Sequence, residues 1–518
     1  MYAVRTTLLA LLLAATPALA NTTAEAHPLP PGISWVQGDV DAAFAAAKAA
    51  NKPVFLYWGA GWCPPCNQVK ATIFNQQGFI ERSKFFVPVY LDGDSPSAQK
   101  WGEKFKVVGY PTMILFRPDG TEVMRLPGEA EADRYMRALS LGMNAIHPIA
   151  QTLATALKGD KVSADEWQML ADYSWDTDEA QLVPPARLAL TLQTLTRNVP
   201  AELPGTALRL QLKAVVAAAT AQVPQQIDKA GSKVAIDKVL ADSKLSREDF
   251  DIVVNFPTDV TSYLTKADSD DRKALVAAWD KALAALSADG TISTADRMSA
   301  VIGRVSLAQL DAPKDAKLPD TLLKAVRDQV ADADAHTTNG YERHAVITAA
   351  ADALSTAGLL DESDKLLNAE LKRSHSPYYL MLELASNARQ RGDKATALNW
   401  YEQAYNAAEG PATRLQWGVS YVGGVIELAP QDEGRLEKAA TSVLAEVEHT
   451  PNAFYERSRR SLERLVKRLG DWNKNGDHAA VVQRVFTQLE GVCSKLPASD
   501  PQRGVCEGLV KQQHKTAA

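Results

Sequence analysis

Two cysteines with two residues between them, in Trp62-Cys63-Pro64-Pro65-Cys66, are the side chains of this sequence best suited to do chemistry. A pair at this spacing can close into a small disulfide ring and reopen. It follows the apolar run Pro53-Val54-Phe55-Leu56-Tyr57-Trp58 and opens a helical stretch, so it sits at a strand-to-helix junction. The first turn of a helix has unpaired N–H groups and the positive end of the macrodipole, and both favour a thiolate at Cys63. Cys63, at the exposed helix start, is the expected nucleophile; Cys66, one turn further in, is the expected resolving thiol. Pro64 fits the first helical turn, where its missing N–H costs nothing. Pro65 adds rigidity and removes a donor, leaving the Cys66 N–H as the nearest one to the Cys63 sulfur. No His and no third or fourth Cys stands at zinc spacing, which argues against a metal site here. The alternative is a permanent disulfide. A two-residue loop at a helix start is poor for stapling and good for exchange.

The elements that must position this pair come next. Asp39 to Asn51 has apolar residues Val40, Phe44 and Ala47 at helical spacing. The pattern then predicts a strand over Val54 to Trp58, a helix from Pro64 to Gln76, a strand over Phe85 to Leu91 and a short helix over Ser97 to Phe105. Pro111 leads the strand Thr112 to Phe116, Pro118-Asp119-Gly120 is a turn, Glu122 to Leu126 returns as a strand, and Glu129 to Leu141 closes with a helix. With the dithiol and with Gly109-Tyr110-Pro111-Thr112 entering its strand, residues 34–143 resemble the thioredoxin superfamily, an α/β fold. The resemblance implies a cis peptide before Pro111, which faces the disulfide, hinders metal capture and offers the Tyr110 and Thr112 backbone to an extended substrate. It also implies that Trp62 shields one side of the nucleophile.

Two positions depart from that family. Many relatives carry a buried carboxylate six residues before the nucleophile, where this chain has Tyr57. Lys70 stands four residues after Cys66, where some relatives carry Glu. Cys63, Cys66 and Lys70 share one helix face. A cation there would stabilise a thiolate; the alternative is a lysine pointing to solvent.

Residues 1–20 read as a secretory signal, with Arg5 as its positive region, the apolar run Leu8 to Ala15, and Ala18-Leu19-Ala20 as a cleavage site. That apolar run is shorter than the roughly 20 residues needed to span a bilayer. Residues 21–33 read as a linker. The expectation is a periplasmic protein with no membrane span in the mature chain, in an oxidising compartment that permits disulfides. Losing Arg5 would move the formal charge from -6 to -7. The mildly acidic, mixed balance argues against nucleic acid, whose partners carry clustered basic faces.

Beyond His147 strand signals almost vanish, and the chain reads as a large all-α region: helices over 147–340, repeats over 341–430 and further helices over 431–518. Gly358 to Gly392 is 34 residues and Pro377 to Pro411 is 34 again, while Leu366, Leu367 and Leu371 fall on Trp400, Tyr401 and Tyr405. This period resembles tetratricopeptide repeats, whose stacked hairpins form a solenoid with a concave binding face. The aromatic residues from Trp400 to Tyr421, Trp417 among them, read mostly as inter-helix core. Cys493 and Cys506 flank a turn-rich loop and read as a structural disulfide, worth roughly 3 kcal/mol on the chain-entropy model.

Together these features predict an exported thiol–disulfide oxidoreductase with no dissociable cofactor and no metal. Its expected partners are protein disulfides or dithiols and an upstream redox partner. The tail is expected to bind a partner or a second copy without touching the exchange step, because every residue assigned to chemistry lies before Thr112 and the repeats lie beyond Tyr341. The alternatives are a disulfide isomerase or oxidase, and a helical-repeat binding or chaperone protein whose dithiol is secondary.

Overall fold

The computed structural model describes residues 29–128, 131–313 and 316–516. The expected signal at 1–20 lies outside the described residues, as do residues 21–28 of the expected linker and Glu129 at the expected start of the last head helix.

The head is a five-stranded sheet in the order β1-β3-β2-β4-β5, with β1 Val36–Gln37, β2 Val54–Gly59, β3 Val87–Asp92, β4 Thr112–Phe116 and β5 Glu122–Leu126. β1 and β2 run parallel to β3, and β4 is antiparallel to both β2 and β5. Every residue of β2 is buried, so its alternation serves two cores rather than one core and solvent. Phe55 and Tyr57 join Phe74, Phe79, Met113 and Tyr135 on one face. Val54, Leu56 and Trp58 join Val40, Ala47 and Ile114 on the other. Helices α1 Val40–Ala50, α2 Pro64–Val69, α3 Gln77–Ser83, α4 Pro96–Phe105 and α5 Ala132–Met143 cover these faces. Asp39 caps α1 through the Ala42 N–H, and Asn51 ends it in the left-handed region.

Three local features differ from the sequence-based pattern. β1 is two residues long, too short to show a period. The helix expected over Pro64 to Gln76 changes character at Lys70, where a π-turn spans Lys70–Phe74. The wider turn sets Phe74 with its ring centroid 4.9 Å from Tyr57 and 4.7 Å from Phe79. α3 follows where no helix was expected; seven residues including Gly78 carry too little periodicity to announce one.

From Ile149 onward the described residues form twenty α-helices and one 3-10 turn, with no strand. Gly358 and Gly392, 34 residues apart, both take positive φ (77° and 78°) after a helix end, a conformation glycine adopts without strain. A disulfide joins Cys493, in the helix Ala479–Lys495, to Cys506, in the helix Pro501–Thr516.

The tail does not stand apart from the head. The Arg134 guanidinium of α5 bonds Asp172 Oδ1 at 2.6 Å, and its Nε donates to the Glu248 carbonyl at 2.6 Å. Glu103 of α4 pairs with Arg459 at 2.9 Å. Arg125 of β5, fully buried, donates to the Thr177 and Phe105 carbonyls.

Candidate active site

Cys63 and Cys66 form a disulfide, with Cα atoms 5.2 Å apart. Cys63 is the N-cap of α2, and its Sγ accepts from the Cys66 N–H at 3.2 Å. This follows from the two prolines. Pro64 and Pro65 have no N–H, so the first donor available to the capping sulfur is that of Cys66. Opposite, the Tyr110–Pro111 peptide is cis, and the Tyr110 carbonyl oxygen lies 3.6 Å from Cys63 Sγ. The Thr112 hydroxyl donates to the Gly109 carbonyl at 2.8 Å, tying the loop before β4.

The expectation of an exposed Cys63 is corrected here. It is 2 % exposed and Trp62 8 %, because tail helices pack directly over the dithiol. The Trp62 ring stacks on Tyr379 at 6.1 Å and meets the Trp417 edge at 4.9 Å. Its indole N–H donates to Thr413 Oγ1 at 2.7 Å. Two histidines of the tail hold the preceding backbone. His344 Nε2 lies 2.8 Å from the Trp62 carbonyl oxygen and His375 Nε2 lies 2.9 Å from that of Gly61. A carbonyl accepts only, so each Nε2 carries the proton. The Arg457 guanidinium lies 5.3 Å from the Trp62 ring centroid and 4.8 Å from that of Tyr110. These contacts correct the expectation that the tail stays clear of the exchange site. Trp417 lies in the expected inter-helix core, its indole N–H donating to the Tyr378 carbonyl at 3.0 Å, and it packs against the head as well.

None of these tail residues carried a local signal. His344, His375, Thr413 and Trp417 lie hundreds of residues from Cys63, and only the folded contact identifies them. Asp94, which receives Thr413, lies between β3 and α4, where no local pattern marks it.

Lys70 does not point to solvent. It is 3 % exposed, and its Nζ has no hydrogen-bond partner among the described residues. The Nζ lies 5.6 Å from the Tyr90 ring centroid and 5.8 Å from that of Tyr341 in the tail. Burial lowers its pKa to about 8, against the opposing pull of Asp92. The Tyr57 hydroxyl is also buried, with no hydrogen-bond partner among the described residues, and burial holds it protonated.

The lowered lysine carries a prediction. Between about 8 and its unfolded value near 10.4, the unfolded chain binds a proton that the folded chain lacks, so stability rises with pH in that window. Below the window both states are charged, and the full burial cost stands. Lys70→Met should therefore raise stability by about 1–3 kcal/mol near pH 7 and by much less near pH 10. Urea unfolding of both proteins at the two pH values checks it. An equal difference at both would contradict the assignment.

Two cavities flank the dithiol. One, of about 420 Å³, is lined by Pro64, Pro65 and Gln68 of the head and by Asp296, Asp352 and Glu383 of the tail. Burial, with Asp352 nearby, pushes the Glu383 carboxyl up to about 7. The other, of about 440 Å³, lies beside Tyr110 and Pro111 and is walled by Trp175, Lys213 and Phe256. Both have Asn255 in their walls. Among the described residues no group of three or more His, Cys, Asp or Glu is placed to hold a metal ion, and no helix is long and apolar enough to cross a membrane.

Sequence comparison agrees with this geometry. The thioredoxin-like domain family matches residues 40–141. A thioredoxin of Mycobacterium tuberculosis is 35% identical over 101 residues, which is 19% of this chain and 83% of that protein. A rice (Oryza sativa subsp. indica) thioredoxin H-type is 33% identical over 95 residues, 18% of this chain and 73% of its own length. The thiol:disulfide interchange protein DsbD of Pseudomonas fluorescens is 29% identical over 103 residues, and the match spans only 18% of that relative. A disulfide-capable pair in this fold is the equipment of a thiol–disulfide oxidoreductase. Through its head, this chain belongs to the thioredoxin superfamily.

Proposed function

We propose that the chain is an exported thiol–disulfide oxidoreductase, exchanging disulfides with protein substrates at Cys63 and Cys66 while its helical tail selects or positions the partner. The observation that carries this reading is the disulfide at the start of α2, capped by the Cys66 N–H and set against the cis Tyr110–Pro111 loop. The apolar run Leu8 to Ala15 supports export to the periplasm, and the 34-residue spacing supports stacked tetratricopeptide-like hairpins in the tail.

In the reductive direction the Cys63 thiolate attacks one sulfur of a substrate disulfide. The substrate S–S bond breaks, one substrate cysteine leaves as thiolate, and a Cys63–substrate disulfide forms. Cys66, deprotonated, then attacks Cys63 Sγ. The second substrate thiolate leaves, and the Cys63–Cys66 disulfide forms. Two electrons pass from the dithiol to the substrate, and each departing thiolate takes a proton from solvent. The same steps in reverse oxidise a substrate dithiol. An upstream dithiol or disulfide partner resets the pair. The Cys66 N–H and the α2 N-terminus stabilise negative charge on Cys63 Sγ, easing both its formation and its departure. Trp62 shields that sulfur, and the Tyr110 and Thr112 backbone pairs with the substrate chain. Lys70 adds positive charge below the helix, and Cys493–Cys506 staples the tail.

The test is insulin reduction by the full-length protein with dithiothreitol as electron source. Cys63→Ser should lower the protein-dependent rate at least about a hundredfold, to the background of the reductant alone. An unchanged rate would move the chemistry elsewhere and favour a binding protein.

A further inference from the structure

Resting on that reading, we infer that Asp94 and Thr413 form a clasp that positions Trp62 and holds the tail closed over Cys63, so that protein disulfides reach the dithiol only when the clasp opens. Exchange needs a substrate sulfur in contact with Cys63 Sγ. With Cys63 2 % exposed under Trp62, Tyr379 and Trp417, a folded protein cannot bring one there.

The clasp is a chain of bonds crossing from head to tail. Asp94 Oδ1 accepts from the Thr413 N–H at 2.7 Å, and Asp94 Oδ2 accepts from the Thr413 hydroxyl at 2.7 Å. The same hydroxyl oxygen accepts from the Trp62 indole at 2.7 Å. One threonine thus ties the residue beside the nucleophile to a head loop. Asp94 meets the first turn of the eighteen-residue helix Pro411–Leu428, where unpaired N–H groups and the dipole favour a carboxylate. Gly410 permits the approach. Its φ is +86°, and a Cβ there would lie 2.3 Å from the Asp94 carboxyl carbon.

Asp94 forms no ion pair with Lys or Arg among the described residues. Asp92 and the Tyr110 phenol face it from the head, and Tyr378 from the tail; Arg457 stands beyond Tyr110. Burial, then Asp92, raises its carboxyl to about 7 against the Thr413 bonds. The closed form therefore binds the proton more tightly than an open form with an ordinary carboxyl. Acid favours closure, and closure weakens as pH rises towards and through about 7.

The test labels the reduced full-length protein with N-ethylmaleimide and with a polymer-linked maleimide, scoring Cys63 by peptide mass and normalising each rate to a free cysteine peptide. Both reagents need the thiolate, so its ionisation cancels in their ratio. The small reagent should be at least about tenfold faster in the wild type, and Thr413→Val should bring the ratio close to one. Thr413→Ser should restore the wild-type ratio. The wild-type ratio should shrink as pH rises, while Asp94→Asn holds it constant. Equal labelling by both reagents in the wild type would overturn the proposal, and that arm needs no folded variant. So would a ratio that Thr413→Val leaves unchanged. Glutathione exchange is measured in parallel: its absence would sink the oxidoreductase reading, while the labelling ratio would still decide the clasp.

Discussion

Full-length protein carrying Cys66→Ser is expected to accumulate a mixed disulfide at Cys63 when its reduced form meets glutathione disulfide or oxidised insulin. The adduct forms because Cys63 keeps its cap position at the start of α2. It persists because the sulfur that should displace the substrate is gone. In the native protein that sulfur belongs to the same helical turn, with the two Cα atoms 5.2 Å apart. Release by an intramolecular thiol at such range enjoys a large effective concentration, so its loss should slow turnover at least about a hundredfold. Mass mapping of the Cys63 peptide reads the adduct. Cys63→Ser should form none there. Rapid release by the Cys66→Ser protein would show that another group resolves the intermediate.

The second large effect concerns stability. Arg134 is 8 % exposed at its side chain and bonds Asp172, itself 1 % exposed, at 2.6 Å. It also approaches Asp249 at 3.4 Å, and Arg209 reaches Asp249 at 2.9 Å and Asp251 at 2.5 Å. This buried network joins α5 of the head to tail residues between Asp172 and Asp251. Arg134→Met leaves the Asp172 carboxylate with Gln168 as its one hydrogen-bond donor among the described residues. Removing one partner of a buried pair costs about 3–5 kcal/mol, because the remaining charge stays desolvated. Arg327→Met, which removes an exposed pair with Glu362, should leave the unfolding curve nearly unmoved. Parallel urea titrations compare the two. A small loss for Arg134→Met would mean that head and tail are joined mainly by apolar contact.

The dithiol, its helix and the proline-led strand were legible in the sequence because their signals are local. Two cysteines, two prolines at a helix start and one strand-leading proline each constrain the backbone within a few residues. The all-helical character of the tail was legible for the same reason, through apolar spacing and the glycines at 358 and 392. The cover over the site was not. His344 reaches the Trp62 carbonyl across 282 positions and Thr413 reaches the indole across 351, and a lone histidine or threonine on a helix announces no partner. Lys70 is instructive too. The helical spacing carries it on from the dithiol's helix, where the structure opens the π-turn, and its Nζ lies beside Tyr341, which arrives from the tail. Trp417 read as inter-helix core by composition, and it is buried, yet it faces Trp62 rather than its own repeat alone.

The most direct test of the central claim is a glutathione redox titration of the full-length protein, quenched in acid and read by the mass of the Cys63–Cys66 peptide. The account predicts a single reversible two-electron transition at that pair, with a defined midpoint that disappears in Cys63→Ser. A pair that stays oxidised across the whole glutathione range, or that opens only when the protein unfolds, would contradict it.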